Sequence, residues 1–276
     1  MKYFISTINF APEMKEKISD VIPKMIDNGI KNIEISSLHP YEKDLDLTKY
    51  NANILIHNFA PPIKEDLLIN LCSPKNSEKV KEFIKERILL TKKLGQNYYS
   101  FHAGFRVDYL TALHDYKDAL TREQAMDKFV LELKDILKFS EKEKVHIGIE
   151  NHCCIKENKN NLILYNISDW DELFSRIDSR YLHLHLDIGH LKISSNEHDF
   201  CEKKFLEMFG SKVIATHVHD NTGHKVDCHA PFGGDFWFNE DHWRKLNNLE
   251  YVILETKSVG DMNYINYMID FLEEEI

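Results

Sequence analysis

The sequence predicts an α/β fold, a single parallel (β/α)8 barrel. Short apolar runs rich in β-branched residues alternate with helical patterns along all 276 residues. Six of those runs end in His, Asp or Glu, and no Ser/Gly-rich linker interrupts the alternation, so one domain over residues 1–276 is the simplest reading. Ionisable residues are rare at the end of a buried strand unless they pair, bind metal or react. Barrels of this kind collect function at the C-terminal ends of their strands, whereas an open doubly wound sheet binds at one switch point.

The elements follow in order. A first strand is expected over about Tyr3 to Asn9, then a helix after Pro12 with Met14, Ile18, Val21, Ile22 and Met25 at helical spacing, closed by Gly29. The second strand, Asn32 to Ser36, carries Glu34, which either points into a site or pairs with a polar residue of a neighbouring strand. Ile54-Leu55-Ile56 leads to His57, and the prolines of Asn58 to Pro62 delay the next helix. That helix has Ser77 as its expected N-cap, Val80, Phe83, Ile84, Arg87, Ile88, Thr91 and Leu94 at helical spacing, and Gly95 at its end. Tyr98 to Phe101 delivers His102. A long segment, Gly104 to Asp118, precedes a helix with Ala125, Phe129, Leu133, Ile136 and Leu137 on one face, and Val145 to Ile149 then leads to Glu150.

Ser168 is the expected cap of a short helix. In L-H-L-H-L-D, His183, His185 and Asp187 share one strand face, but only Asp187 lies at the ligand end; the two histidines read as interior or helix-contacting residues. A helix around Cys201 to Phe209, a strand before His217, a loop from His219 to Asn239, a strand Tyr251 to Leu254 before Glu255, and a helix from Asn263 to Glu274 complete the chain.

Composition narrows the function. Hydrophobic residues at 43% and charged residues at 29% are ordinary for a soluble protein, and no apolar run approaches the length of a membrane span. The opening Met1-Lys2-Tyr3-Phe4-Ile5 reads as a strand because Asn9 and Pro12 interrupt it before a secretory apolar region forms; a cytoplasmic location is expected. The 5 cysteines lack framework spacing, and the vicinal Cys153-Cys154 reads as two incidental thiols. A net charge of −10 offers no general attraction to nucleic acid or an anionic membrane.

The densest chemistry lies in His217 to His229, H-V-H-D-N-T-G-H-K-V-D-C-H, directly after an apolar strand. Alternation places His217 and His219 on one side, and Asp227 and His229 on one side across Cys228. Glu150, Asp187, His217 and Glu255 form an oxygen-rich set suited to Mn²⁺, Mg²⁺ or Co²⁺. His57, His102, His190, Asp227 and His229 form a nitrogen-rich set that favours Zn²⁺. His190 follows Asp187 by one helical turn in D-I-G-H, so both can join one cluster, and bridging carboxylates allow two or three ions.

These residues resemble the xylose isomerase-like TIM-barrel superfamily, which includes sugar isomerases and epimerases and the endonuclease IV type of apurinic-site endonuclease. The resemblance runs through I-H-N at His57, F-H-A-G at His102, I-E-N at Glu150, D-I-G-H at Asp187 and His190, H-V-H-D-N at His217, D-C-H at Asp227 and His229, and I-L-E-T at Glu255. The endonuclease branch binds three zinc ions through nine side chains, and all nine positions are filled here. The chain lacks that branch's Gly-Ser-His-rich opening, its Gly-Gln-Gly stretch after Glu150 and its Gly-Glu-Gly loop beyond His229, where Pro231-Phe232-Gly233-Gly234 stands instead. H-V-H-D-N followed by Asp, His, Pro and Gly is closer to the sugar phosphate isomerase/epimerase group, in which Glu150, Asp187, His217 and Glu255 correspond to a single-metal site.

The leading expectation is therefore a divalent-metal-dependent isomerase or epimerase of a small sugar, sugar phosphate or polyol, with Glu150 and Glu255 as the base and acid pair. The alternative is a multinuclear phosphoesterase with up to three zinc ions. A purely structural metal protein fits least, because structural zinc sites are closed and compact. Arg106, Lys257 and Lys192, at the expected rim, are candidate phosphate ligands, with Arg106 the strongest because its guanidinium binds phosphate through two bonds. His219 and Glu34 are further candidate substrate contacts. The expected partner is a small sugar-like molecule, with neither nucleic acid nor membrane.

Overall fold

In a computed structural model, which describes residues 1–13, 15–37, 39–64, 69–107, 120–258 and 260–276, the chain forms a (β/α)8 TIM barrel. The strands are β1 (Lys2–Ser6), β2 (Asn32–Ile35), β3 (Asn53–Ile56), β4 (Tyr98–His102), β5 (His146–Glu150), β6 (Leu182–Asp187), β7 (Val213–Val218) and β8 (Tyr251–Leu254). All ladders are parallel, in the order β3-β2-β1-β8-β7-β6-β5-β4. A single bridge between His57 and Ser100, with Asn58 N donating to Ser100 O at 2.8 Å, brings β3 to β4 and nearly closes the barrel.

The helices are α1 (Ile18–Asp27), α2 (Ser77–Lys93), α3 (Arg122–Glu143), α4 (Ile167–Arg176), α5 (Ile188–His198), α6 (Glu202–Phe209), α7 (Glu240–Trp243) and α8 (Met262–Glu275). Their apolar stripes, for example Val80, Phe83, Ile84 and Ile88 of α2 and Phe129, Leu133 and Ile136 of α3, pack on the outward strand residues in the main core. A separate apolar cluster contains Phe4, Leu55, Tyr98, Ala215, Tyr251 and Ile253. Leu55, Ala215 and Ile253 each stand two residues before His57, His217 and Glu255, on the same strand face, so this cluster is the floor beneath the mouth.

Several boundaries depart from expectation for local reasons. β1 stops at Ser6, and Thr7–Asn9 curls into a 3₁₀ turn, because Asn9 is drawn across the mouth: its amide donates to Leu254 O at 2.8 Å and its carbonyl accepts from Ser258 and Thr256. Asn76, not Ser77, occupies the N-cap of α2, and Ser77 Oγ accepts from Lys128 Nζ instead. Asn166, not Ser168, caps α4, accepting from Asp169 N at 3.0 Å. Helix α5 was not anticipated. Met14 and positions 108–118 of the long segment after Gly104 lie outside the described residues. Among the described residues no helix is long and apolar enough to cross a membrane, and the five cysteines are unpaired.

Candidate metal centre at the barrel mouth

Every strand from β3 to β8 delivers an ionisable side chain to the same end. His57 follows β3, His102 ends β4, Glu150 ends β5, Asp187 ends β6, His217 is the penultimate residue of β7, and Glu255 follows β8. Asp187 also caps α5, its Oδ1 accepting from His190 N at 2.7 Å, which fixes both Oδ2 and the His190 ring at the mouth. The loop after β7 folds back through a two-way backbone bridge between Asp220 and Ala230, both bonds 2.8 Å, and so returns Asp227 and His229 to the rim.

These nine side chains fall into three adjoining clusters. In the first, Glu150 Oε2 lies 3.1 Å from His57 Nε2 and 3.3 Å from His102 Nε2. In the second, His217 Nδ1 faces three carboxylates: Glu255 Oε2 at 3.1 Å, Glu150 Oε1 at 3.6 Å and Asp187 Oδ2 at 3.8 Å. In the third, Asp227 Oδ2 lies 2.9 Å from His190 Nε2 and 3.1 Å from His229 Nε2. Glu150 thus gives one oxygen to the first cluster and the other to the second.

The outer nitrogens of these rings are already occupied. His57 Nδ1 bonds Ser100 Oγ at 3.0 Å, His190 Nδ1 donates to Asn151 O at 2.9 Å, His229 Nδ1 donates to Glu255 O at 2.9 Å, and His217 Nε2 donates to Glu34 at 3.0 Å. Each neutral ring therefore turns its lone pair towards a carboxylate, an arrangement that repels unless a cation lies between. Donors about 2.1 Å from a tetrahedral ion sit about 3.4 Å apart, a value bracketed by these spacings, which run from 2.9 to 3.8 Å. Each cluster also holds one buried atom without a hydrogen-bond partner: Glu150 Oε2, His217 Nδ1 and Asp227 Oδ1. Leaving such an atom unsatisfied costs about 1–3 kcal/mol, more if it is charged. The donor set fits divalent ions, the carboxylate-rich second cluster suiting hard ions and the imidazole-rich outer two suiting zinc.

The rings differ in their hold on a proton: burial pulls His102 down to about 3, whereas His190, His217 and His229 are raised. Burial opposes charge on His217, but Glu255, Glu34 and Glu150 outweigh it and keep its pKa well above the usual range. His190 is raised in the same way against burial, by Asp187 and Asp227. Burial also opposes charge on His229, yet Glu255 and Asp227 raise it to about 9. Burial works against the Asp227 carboxylate too, but His190 and His229 hold its pKa far below normal.

The clusters open onto a cavity of about 310 Å³. Its lining includes His57, His102, Glu150, His190, Asp227, His229 and Glu255, with Ser36, Ser37 and Asn58 as further polar groups and Ile8, Phe59, Ile69 and Phe105 as an apolar wall. The three phosphate candidates do not line it. Lys192 Nζ is spent on Asp220 at 2.8 Å and Asn221 O at 2.7 Å, Arg106 Nε donates to Leu120 O at 2.9 Å, and Lys257 is exposed. Glu34 and His219 are also off the lining. Glu34 is buried against His217, and His219 is buried with Nε2 3.1 Å from Asp187 Oδ2. His185, read as an interior histidine, is fully buried, with Nδ1 2.7 Å from Tyr98 OH.

Two supporting residues escaped the sequence reading. Asn151 clamps the Asp187 backbone, accepting from its N at 2.8 Å and donating to its O at 3.0 Å; the only signal was its place in I-E-N. Gly189 lets the His219 ring pass so closely that a Cβ there would lie 2.1 Å from His219 Cε1.

A family model described as a xylose isomerase-like TIM barrel matches residues 9–274. The uncharacterized protein MJ1311 of Methanocaldococcus jannaschii is 30% identical over 142 residues, covering 50% of this chain and 46% of that protein. The chain thus spans about half the length of the curated relatives it matches. Solved structures that share the fold include the following three. A D-tagatose 3-epimerase-like protein gives a TM-score of 0.73 at 21% identity, covering 99% of this chain and 98% of that one. The IOLI protein with a binding zinc atom gives 0.72 at 15%, covering 100% and 99%. An AP endonuclease, family 2, from Brucella melitensis gives 0.71 at 10%, covering 100% and 99%. The chain belongs to the xylose isomerase-like TIM-barrel family.

Proposed function

We propose that the chain is a divalent-metal-dependent enzyme and that its barrel mouth is a multinuclear centre for hydrolysing a small phosphoester. One observation carries this reading: three adjoining clusters, each with a buried, unpartnered donor or acceptor, use nine side chains where a single-ion isomerase uses four. Ions held there would supply Lewis-acid charge and an activated water for attack at phosphorus. Glu150 turns one oxygen to each of the first two clusters, so with ions in both it would serve as a shared ligand in place of a mobile base. Asp187 and Glu255 hold the second cluster, and Asp227 with His190 and His229 holds the third. Phe59, Phe105, Ile8 and Ile69 exclude water from one side of the cavity, whose volume suits a small molecule. The net charge of −10 further favours a small substrate over nucleic acid.

Metal-dependent isomerisation or epimerisation of a sugar remains the second reading, favoured by the presence of both Glu150 and Glu255 in the cavity lining and by the epimerase-like neighbour. The two readings separate in one assay. The protein loaded with Zn²⁺ or Mn²⁺ is offered p-nitrophenyl phosphate, bis-p-nitrophenyl phosphate and a ketohexose panel. Phosphoester cleavage that falls at least about 100-fold in the Asp227→Asn/His229→Ala variant is expected. Epimerisation of a ketohexose, retained in that variant with no phosphoester cleaved, would establish the isomerase instead.

A further inference from the structure

Beneath the second cluster lies a contact that the metal reading does not use. Glu34 stands on β2, with partners on both sides: Ser6 in β1 and Leu55 in β3. Its side chain crosses the barrel interior to β7, where Oε1 and Oε2 lie 3.0 and 3.2 Å from His217 Nε2. Glu34 is 1% exposed and His217 0% exposed, so neither group reaches solvent. Burying a carboxylate is costly unless it is paired and hydrogen-bonded, and a fold that needed only to fill this space would place an apolar residue there.

The other mouth histidines with assigned outer partners use neutral oxygens: Ser100 Oγ for His57, Asn151 O for His190 and Glu255 O for His229. His217 alone among these four is held by a carboxylate. A carboxylate that accepts from one imidazole nitrogen fixes the tautomer, fixes the ring plane and makes the opposite nitrogen a stronger donor. It thereby commits Nδ1, the atom that faces Glu255, Glu150 and Asp187.

We propose that Glu34 is the positioning residue of the second cluster: it holds His217 as an Nδ1 donor and raises that nitrogen's basicity, and it makes no contact with substrate. This rests on the metal reading of the mouth but not on which reaction the ions serve. The role differs from the substrate contact that the sequence suggested for the same residue.

The test compares the full-length wild type, Glu34→Ala and Glu34→Gln by calorimetric Zn²⁺ titration, with histidine ¹⁵N spectra of each zinc-loaded protein. Glu34→Ala is expected to lose about 10–100-fold in affinity for the ion at His217. Glu34→Gln, whose amide oxygen still accepts from Nε2–H, should recover part of that loss. The spectra should show His217 protonated at Nε2 and ligated at Nδ1 in the wild type, with that preference weakened in Glu34→Ala. Equal zinc affinity in all three proteins would overturn the positioning role, as would a raised KM with unchanged metal affinity, which would make Glu34 a substrate contact. An equal loss in both variants, with the His217 tautomer unchanged, would reduce Glu34 to a structural part and also overturn it. A wild type that takes up no zinc would defeat the metal reading itself, an outcome distinct from the other three.

Discussion

On the proposed reading, a proton and a divalent ion would compete for the same nitrogens at the mouth. His190, His217 and His229 are held charged by neighbouring carboxylates, the last with a pKa raised to about 9, and an ion can be ligated only by the neutral ring. The sign follows. A histidine raised from 6.5 to about 9 stabilises the ion-free protein fully below pH 6.5 and loses that contribution as pH rises through 9. Metal affinity runs the opposite way, rising with pH until the ring is neutral. Titration of the ion-free protein with Zn²⁺ at pH 7, in buffers of different ionisation enthalpy, should therefore show release of at least about one proton per ion. Uptake without proton release would contradict the assignment of these rings. Six of the nine mouth residues were visible in the sequence because ionisable groups at strand ends have few structural excuses, and His190, Asp227 and His229 because of D-I-G-H and the His-rich loop after the seventh strand. The role of Glu34 was not, because nothing in N-I-E-I distinguishes a carboxylate facing a cavity from one facing a ring on a strand that is not its neighbour.

Helix α5 shows where element-level reading stops. Its buried residues mix Ile188, Leu191 and Ile193 with His190, Ser194, Ser195 and Glu197, so no continuous apolar stripe contrasts with the side that carries Lys192 and Asn196, and a 3.6-residue period cannot be recognised. The helices α2 and α8, each with an exposed side, were read within a few residues of their ends, and α3 through its apolar face from Ala125 to Leu137. The caps at Asn76 and Asn166 were each misplaced, because Ser, Thr, Asn and Asp lie close together near both helix starts and propensity alone does not rank them. Asp187 connects element to site: Oδ1 caps α5 and Oδ2 faces the second cluster. In the metal-free protein Asp187→Ala should melt about 2–4 °C below Asp187→Asn, since asparagine keeps the cap and losing it costs ~1 kcal/mol. Both variants should lose bound metal. Equal melting points would show that the cap is supplied elsewhere.

For the molecule as a whole, the architecture was legible because each strand is an apolar run too short for a helix and each is followed by a stop signal. The near-closure of β3 on β4 through one bridge was not legible, since the pairing depends on Ser100 and His57, which are distant in sequence. Nor was the return of the loop after β7, where Ala230 pairs with Asp220 and His229 takes a left-handed φ of 49°. That return places the third cluster beside the second, and it separates a multinuclear mouth from a single-ion one. The decisive measurement is the number and position of ions in metal-replete protein, taken from elemental analysis together with anomalous X-ray scattering. Three ions per chain are expected: one at His57, His102 and Glu150, one at Glu150, Asp187, His217 and Glu255, and one at His190, Asp227 and His229. A single ion at Glu150, Asp187, His217 and Glu255, with the other two clusters bridged by protons alone at saturating metal, would contradict the account.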